Sequence, residues 1–277
     1  MRRLPVTETP HPAGRDLERL PTARLVARLH GGDREAVLAV GRALASLAAL
    51  ADDAARALRS GGRLVYVGAG TSGRLGALDA AECPPTFGVA PARVVALVAG
   101  GARALRRAVE GAEDDGPAGA AAVRRARIGP RDLVVGISAS GTTPFVLAAL
   151  AEARRRGAAT ALLTSNPAAR AAASRRVLLE TGAERVAGST RMKAGTAAKM
   201  ALGLVSTAAF VRLGAVRAGR MVALRTGSAK LRARAVRNVA DLAGVSAASA
   251  RRLLEASGWD VKAAIEAAGS RSRSRNS

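Results

Sequence analysis

A chain of 277 residues that is 49% hydrophobic can bury a core for one main domain with a small appendage, and its few aromatics leave that core to Ala, Val and Leu. One Trp, one Tyr and three Phe exclude a broad stacking platform for bases, the single Cys83 excludes an internal disulfide, and two histidines remote from any Cys or paired carboxylate give no metal-ligand spacing. The net charge is +23 and the basic residues are mostly arginine, but they are scattered through every helical stretch instead of forming one stripe. They therefore read as coding bias on solvated helix faces rather than as a nucleic-acid or membrane surface, and could still help attract a phosphorylated substrate.

Residues 1–14 (MRRLPVTETPHPAG) hold three prolines and little periodicity, which predicts an irregular arm in which Glu8 reads as an exposed surface acid. Apolar residues at helical spacing then predict two antiparallel helices, Arg15–Leu29 and Arg34–Arg59, divided by a Gly31-Gly32-Asp33 turn. From Arg63 the pattern changes to short unbroken apolar runs: LVYV at 64–67, VVALVA at 94–99, LVVGIS at 133–138, TALLTS at 160–165 and RVLLE at 176–180. Runs without polar alternation suit strands covered on both faces, and the helices between them supply right-handed crossovers. The expectation is an α/β fold with a parallel five-stranded sheet flanked by helices, of the flavodoxin-like layer type, in the order 2-1-3-4-5.

A long helix is predicted from about Met192 to Arg212, a basic helix from Leu231 to Val239, and two short helices around Gly258-Trp259-Asp260; this end resembles a three-helix module of the ubiquitin-associated type. The closing GSRSRSRNS lacks apolar anchors and reads as a disordered tail. The expected divisions are 1–62 for the arm and first helices, 63–225 for the sheet domain, 226–268 for the C-terminal helical module and 269–277 for the tail. With no apolar leader and no apolar run of the ~20 residues that a membrane span needs, no membrane partner is expected and the location reads as cytoplasmic.

In a 2-1-3-4-5 sheet the loops after the first and third strands meet at the switch point, where ligands bind. Here those loops are Gly70-Thr71-Ser72-Gly73 and Ser138-Ala139-Ser140-Gly141-Thr142-Thr143, the second followed by Pro144 at a helix start. Hydroxyls and free N–H groups at two helix N-termini form a phosphate seat that needs no cation. Gly68-Ala-Gly70-Thr-Ser-Gly73 also fits a dinucleotide fingerprint, but the next strand ends in Ala99-Gly100-Gly101 where that fingerprint requires a ribose-binding acid. Glu82 stands in a Cys-Pro-Pro loop whose prolines would aim it, and Glu113 stands in Val-Glu-Gly-Ala-Glu-Asp-Asp; Glu110, Asp114 and Asp115 read as surface acids or caps. Ser189 and Thr190 can cap the helix from Met192, and Lys193 in its first turn, misplaced for the helix dipole, calls for an anionic ligand or a carboxylate partner.

The segments YVGAGTSGRLGALDAAECPPTFGV (66–89), AVEGAEDD (108–115), VVGISASGTTP (134–144) and GSTRMKAGTAAK (188–199) together resemble the sugar isomerase (SIS) domain proteins, and within them the N-acetylmuramic acid 6-phosphate etherase family. The resemblance runs from the Thr7-Glu8 arm through the C-terminal module. It implies a carbon-oxygen lyase that removes the D-lactyl ether of N-acetylmuramate 6-phosphate by elimination and water addition, without a cofactor or metal and as a homodimer. Carried over by position, Glu82 corresponds to the acid that serves the leaving lactate and incoming water, and Glu113 to the base at C2. Thr71, Ser72, Gly73, Ser138, Ser140, Gly141, Thr142 and Thr143 correspond to the phosphate loops, and Ser189, Thr190 and Lys193 lie in the family's GSTR-K segment. Three departures stand out: Thr142 replaces a customary arginine, the arm reads Thr7-Glu8-Thr9-Pro10-His11-Pro12, and Ala223-Leu-Arg-Thr-Gly-Ser228 replaces an Asp-Val-x-x-Thr-Asn segment. They leave a second reading open, a sugar-phosphate sensor that binds without turnover.

Overall fold

The computed structural model describes residues 5–223 and 226–273, with side chains placed up to 269; Leu224 and Arg225 of the departing 223–228 segment and the last residues of the predicted tail, 274–277, lie outside the described residues. Two compact units are present, Met1–Ala81 with Ala92–Ala208, and Glu82–Pro91 with Ala209–Ser277.

The first unit is built on five parallel strands, β1 (Leu64–Gly68), β2 (Val94–Val98), β3 (Leu133–Ile137), β4 (Ala159–Thr164) and β5 (Arg175–Leu178), in the order β2-β1-β3-β4-β5. Every residue of β1 and β3 is buried, which is why their sequences carry no polar alternation. Gly68 pairs with both Val98 and Ile137, so the carboxyl ends of β1, β2 and β3 finish level. The loops that follow are therefore neighbours by register. One face of the sheet packs Val65, Val67, Val134 and Leu162 against Val146, Leu150 and Ala153 of helix α5 (Pro144–Arg155) and Val123 of helix α4 (Gly116–Arg125).

The amino ends of β1 and β3 are joined by Asp132, which is 6% exposed. Its Oδ1 accepts from the Arg63 backbone N–H (2.9 Å) and Nε (3.1 Å), and its Oδ2 from Arg63 Nη2 (2.7 Å) and the Gly129 N–H (3.0 Å). Burial opposes the charged form of Asp132, but the Arg63 hydrogen bond, the Gly129 N–H and the Arg63 charge outweigh it and hold the pKa below the ordinary carboxylate value.

The helices before the sheet differ from the sequence expectation. Helix α1 runs unbroken over Thr22–Arg42 through Gly31-Gly32-Asp33, and the break falls at Ala43, before helix α2 (Leu44–Arg59). Glycine inside a helix is unfavourable by roughly 0.5–1 kcal/mol relative to alanine. At Gly32 a Cβ would lie 3.1 Å from the Lys193 side chain, a tight approach that favours the smallest residue. The Cys-Pro-Pro segment is helical as well: helix α3 spans Gly70–Phe87 and contains Pro84 and Pro85. Each proline removes an N–H that the carbonyls of Ala80 and Ala81 would otherwise take, and the boundary between the compact units follows Ala81. Helix α6 (Lys193–Arg212) is long and apolar enough to cross a membrane, but 56% of that stretch is buried within the fold, as a core helix is.

In the second unit, helices α7 (Ala229–Ala243), α8 (Ala247–Ala256) and α9 (Val261–Arg273) pack through Ala235, Val239, Leu254 and Ala264. α9 continues through Arg273, so the first five residues of the predicted tail are helical. The Arg232 guanidinium lies 4.9 Å from the centre of the Trp259 ring.

Candidate active site

The Ser138–Thr143 loop is held by its own side chains. Ser138, 3% exposed, accepts the Gly141 N–H at 3.0 Å on its Oγ, which also hydrogen-bonds Thr143 Oγ1 at 2.8 Å. Ser140 Oγ accepts from the Thr142 N–H (3.2 Å) and Thr142 Oγ1 (3.0 Å). Gly141 has φ +68°, and a Cβ there would fall 2.3 Å from that of Ala169, so only glycine closes this turn. From the end of β4, Thr164 Oγ1 donates to the Ala139 carbonyl (3.1 Å) and Asn166 Nδ2 to the Ser140 carbonyl (2.8 Å). The loop feeds α5, whose N-cap Thr143 makes no side-chain cap bond. Pro144 carries no N–H and that of Phe145 goes to the Glu113 carbonyl, so at this helix start an anion meets the loop hydroxyls first.

Across from it, α3 begins directly after β1. Gly73 is the first residue of the turn to reach a helix carbonyl (Ala69 O, 3.2 Å), so the N–H groups of Gly70, Thr71 and Ser72 have no intrahelical partner. Gly73 itself is a packing residue: a Cβ would sit 2.6 Å from Gly68 O and 2.7 Å from a Val98 methyl carbon.

Between the two turns is a cleft of about 510 Å³ within the first unit, lined by Thr71, Ser72, Ser138, Ser140, Thr142 and Thr143 on one side and by Glu113, Asp114, Glu8, Gly188 and Thr190 on the other. Glu113 is in the turn before α4, and its carbonyl accepts the Phe145 N–H at 3.0 Å. One hydrogen bond therefore ties the acid to the first turn of the helix that bears the phosphate loop. Asp115 caps α4 through the Ala118 N–H (2.8 Å), as the sequence expects of a cap.

Glu8, read from sequence as a surface acid, lines the cleft. The arm is anchored by the Gly188 N–H donating to the Thr7 carbonyl (2.9 Å) with Thr7 fully buried, and a Cβ on Gly188 would lie 2.7 Å from Glu8 Oε2. Gly188, at φ +76°, opens the GSTR segment, and its docking on the arm is not readable from the sequence.

Other expected site residues lie elsewhere. Lys193 is 2% exposed and donates to Glu35 Oε2 at 2.6 Å, resolving its two readings in favour of a carboxylate partner. Glu35 also pairs with Arg185, which bonds the His11 ring, so this cluster fastens the arm to α1 and α6. His11 has its pKa lowered by burial and then by the Arg185 and Lys193 charges. Burial opposes ionisation of Glu35, but the Lys193 hydrogen bond and charge outweigh it and lower its pKa. Ser189 and Thr190 do not cap α6. That cap is the fully buried Glu184, which accepts the N–H groups of Lys193 and Ala194, both at 3.0 Å. Ser189, Gly73 and Gly141 do not line the cleft.

Glu82 is exposed and belongs to the second unit. It stands twelve residues beyond Gly70 on α3, which at 1.5 Å per residue is about 18 Å of helix. The Cys-Pro-Pro loop expected around Glu82 is thus corrected to a helical segment. Among the described residues, neither Glu8, Glu82 nor Glu113 forms an ion pair, in a chain of 44 basic residues.

Known proteins agree with this architecture. The family description "Glucokinase regulatory protein N-terminal SIS domain" matches residues 46–154, "SIS domain" matches 114–208, and "UBA-like domain" matches 234–267. The chain is similar in fold to E. coli CFT073 c3406 in complex with A5P, with a TM-score of 0.51 and 18% identity over 72% of this chain and 97% of that one. N-acetylmuramic acid 6-phosphate etherase of Deinococcus radiodurans is 49% identical over 261 residues, 94% of this chain and 86% of that protein. The protein of the same name from Jannaschia sp. (strain CCS1) is 46% identical over 262 residues, 94% of this chain and 83% of that protein. With identity of this order along nearly its whole length, the chain belongs to the N-acetylmuramic acid 6-phosphate etherase family.

Proposed function

We propose that this chain cleaves the D-lactyl ether of N-acetylmuramic acid 6-phosphate, giving N-acetylglucosamine 6-phosphate and D-lactate in the recovery of cell-wall sugars, as a cytoplasmic lyase. The observation that carries this reading is the cleft in which two hydroxyl-rich helix starts face Glu113 with no lysine, arginine or histidine in its lining. Backbone N–H groups and the hydroxyls of Thr71, Ser72, Ser138, Ser140 and Thr143 hold the 6-phosphate. Three carboxylates (Glu8, Glu113 and Asp114) line the remainder of the cleft, which accepts hydroxyl donors and repels a second phosphate.

In the open-chain sugar the C1 aldehyde acidifies the C2 proton. Glu113 takes that proton, the C2–H electron pair forms the C2–C3 double bond, and the C3–O bond breaks with its pair going to the lactyl oxygen. A second carboxyl protonates that oxygen and then, as carboxylate, activates the water that adds at C3 while C2 regains a proton. The side chains move the protons in each step, while the electron pairs of the breaking C2–H and C3–O bonds and the incoming water account for the bonds made at carbon. Glu82 takes the second role. Its exposure and its position far along α3 favour delivery from a second copy of the chain, so the active form is a homodimer with composite sites.

Purified protein incubated with N-acetylmuramate 6-phosphate is expected to release D-lactate; sugar-phosphate binding without lactate would instead support the sensor. Thr142 supplies a further prediction. It is exposed at the rim of the phosphate loop, and an arginine there would add charge-assisted hydrogen bonds of about 1.5–3 kcal/mol. Thr142→Arg is thus expected to lower KM roughly 10- to 100-fold. An unchanged KM would mean that the phosphate does not reach this loop.

A further inference from the structure

The cleft has a side chamber. A second cavity of about 170 Å³ opens beside it and shares Ala69, Gly70 and Glu113 with it. That is well above the ~10–15 Å³ that a single water requires, so the chamber has room for a small organic group. Its walls include the apolar side chains of Ala104 and Val109, and its one cation is Arg74. Arg74 lies one turn beyond Gly70 on α3 and is half-buried. Among the described residues it has no ion pair and no hydrogen bond. Glu110 and Glu113 also line the chamber, both exposed to solvent, and neither pairs with Arg74.

We propose that this chamber is the subsite for the lactyl group, with the Arg74 guanidinium receiving its carboxylate and the Ala104–Val109 wall its methyl. This rests on the functional reading above and makes it more specific. The substrate carries two anionic groups, and the cleft takes the phosphate without a cation. Arg74 is then the one cationic side chain lining either cavity. The lactyl group with its ether oxygen has six non-hydrogen atoms, a small group of the kind that the chamber can admit. Glu113, lining both cavities, marks the junction where the sugar ends and the lactyl group begins, and that junction contains the bond that breaks. A guanidinium fork fits a carboxylate through two parallel N–H bonds, which a lysine cannot reproduce.

The test compares two ligands that differ only by the lactyl group. Arg74→Gln is expected to raise KM for N-acetylmuramate 6-phosphate roughly 10- to 100-fold. Its affinity for N-acetylglucosamine 6-phosphate, measured by calorimetry, should equal that of the wild type, and its Tm should be unchanged. Arg74→Lys should fall between the two. Equal weakening toward both sugars, or no change in KM, would overturn the subsite. The functional reading fails separately if the wild type binds both sugars and releases no lactate. In that case the calorimetric comparison of Arg74→Gln with the wild type on the lactyl sugar still decides the subsite. If the wild type binds neither sugar, the subsite falls as well.

Discussion

Glu113→Gln is expected to lower D-lactate release by roughly 10²- to 10⁴-fold, the usual loss when a general base is removed, with little change in affinity for the sugar phosphate. Glutamine keeps the shape of the side chain, and the anchoring bond to the Phe145 N–H comes from the backbone of residue 113, so the turn stays in place. Glu82→Gln should be similarly inactive. The two variants then report on each other. If Glu82 reaches the cleft from a second copy, mixing inactive Glu113→Gln with inactive Glu82→Gln under conditions of subunit exchange restores one intact site per mixed dimer, and lactate release returns. If each chain uses its own Glu82, every site in the mixture stays defective. Loss of sugar-phosphate binding in Glu113→Gln would assign that residue to substrate retention instead of proton transfer.

Asp132→Ala is expected to destabilise the fold by about 3 kcal/mol, the low end for breaking a buried charge pair because the Arg63 side chain is 26% exposed. For a chain of this size that corresponds to a fall in Tm of roughly 6–12 °C. The loss follows from leaving the Arg63 guanidinium and the Arg63 and Gly129 N–H groups without the oxygens they now share. The pH dependence gives a second readout. Since the folded-state pKa of Asp132 lies below the unfolded value, its contribution is complete above about pH 4 and is lost as the pH falls through the folded value. Wild-type protein should therefore lose more stability than Asp132→Ala on acidification below about pH 4, and the two curves should converge. Parallel curves with equal Tm at neutral pH would remove Asp132 from the account.

The sheet was legible because β1, β2 and β3 are apolar runs without polar residues, and β1 and β3 are buried along their whole length. The strand order assumed for the sequence is the flavodoxin-like one, and the observed β2-β1-β3-β4-β5 order then brings the two hydroxyl-rich loops together as expected. What failed to show was decided by contacts distant in sequence. Gly31-Gly32 reads locally as a turn, yet it continues α1, and the Lys193 side chain packs over Gly32. Lys193 reads as a cation waiting for an anion, and its partner lies 158 positions earlier at Glu35. Glu184 sits in a stretch with no recognisable cap pattern, nine residues before the Lys193 N–H it accepts. Pro84 and Pro85 suggested a loop because proline interrupts helices, but near a helix end their missing N–H groups disturb only two carbonyls. Glu8 was read as a surface acid because an irregular arm shows nothing of where it docks, and only the Thr7–Gly188 bond brings it to the cleft.

The central claim is that lactate leaves by cleavage at C3 of the sugar, in a site that uses Glu113 as base. Running the reaction in water enriched in oxygen-18 and weighing both products by mass spectrometry tests it most directly. Elimination followed by water addition places the heavy oxygen at C3 of N-acetylglucosamine 6-phosphate and leaves D-lactate with the original ether oxygen. Label recovered in lactate, or wild-type protein that releases no lactate at all, would contradict it.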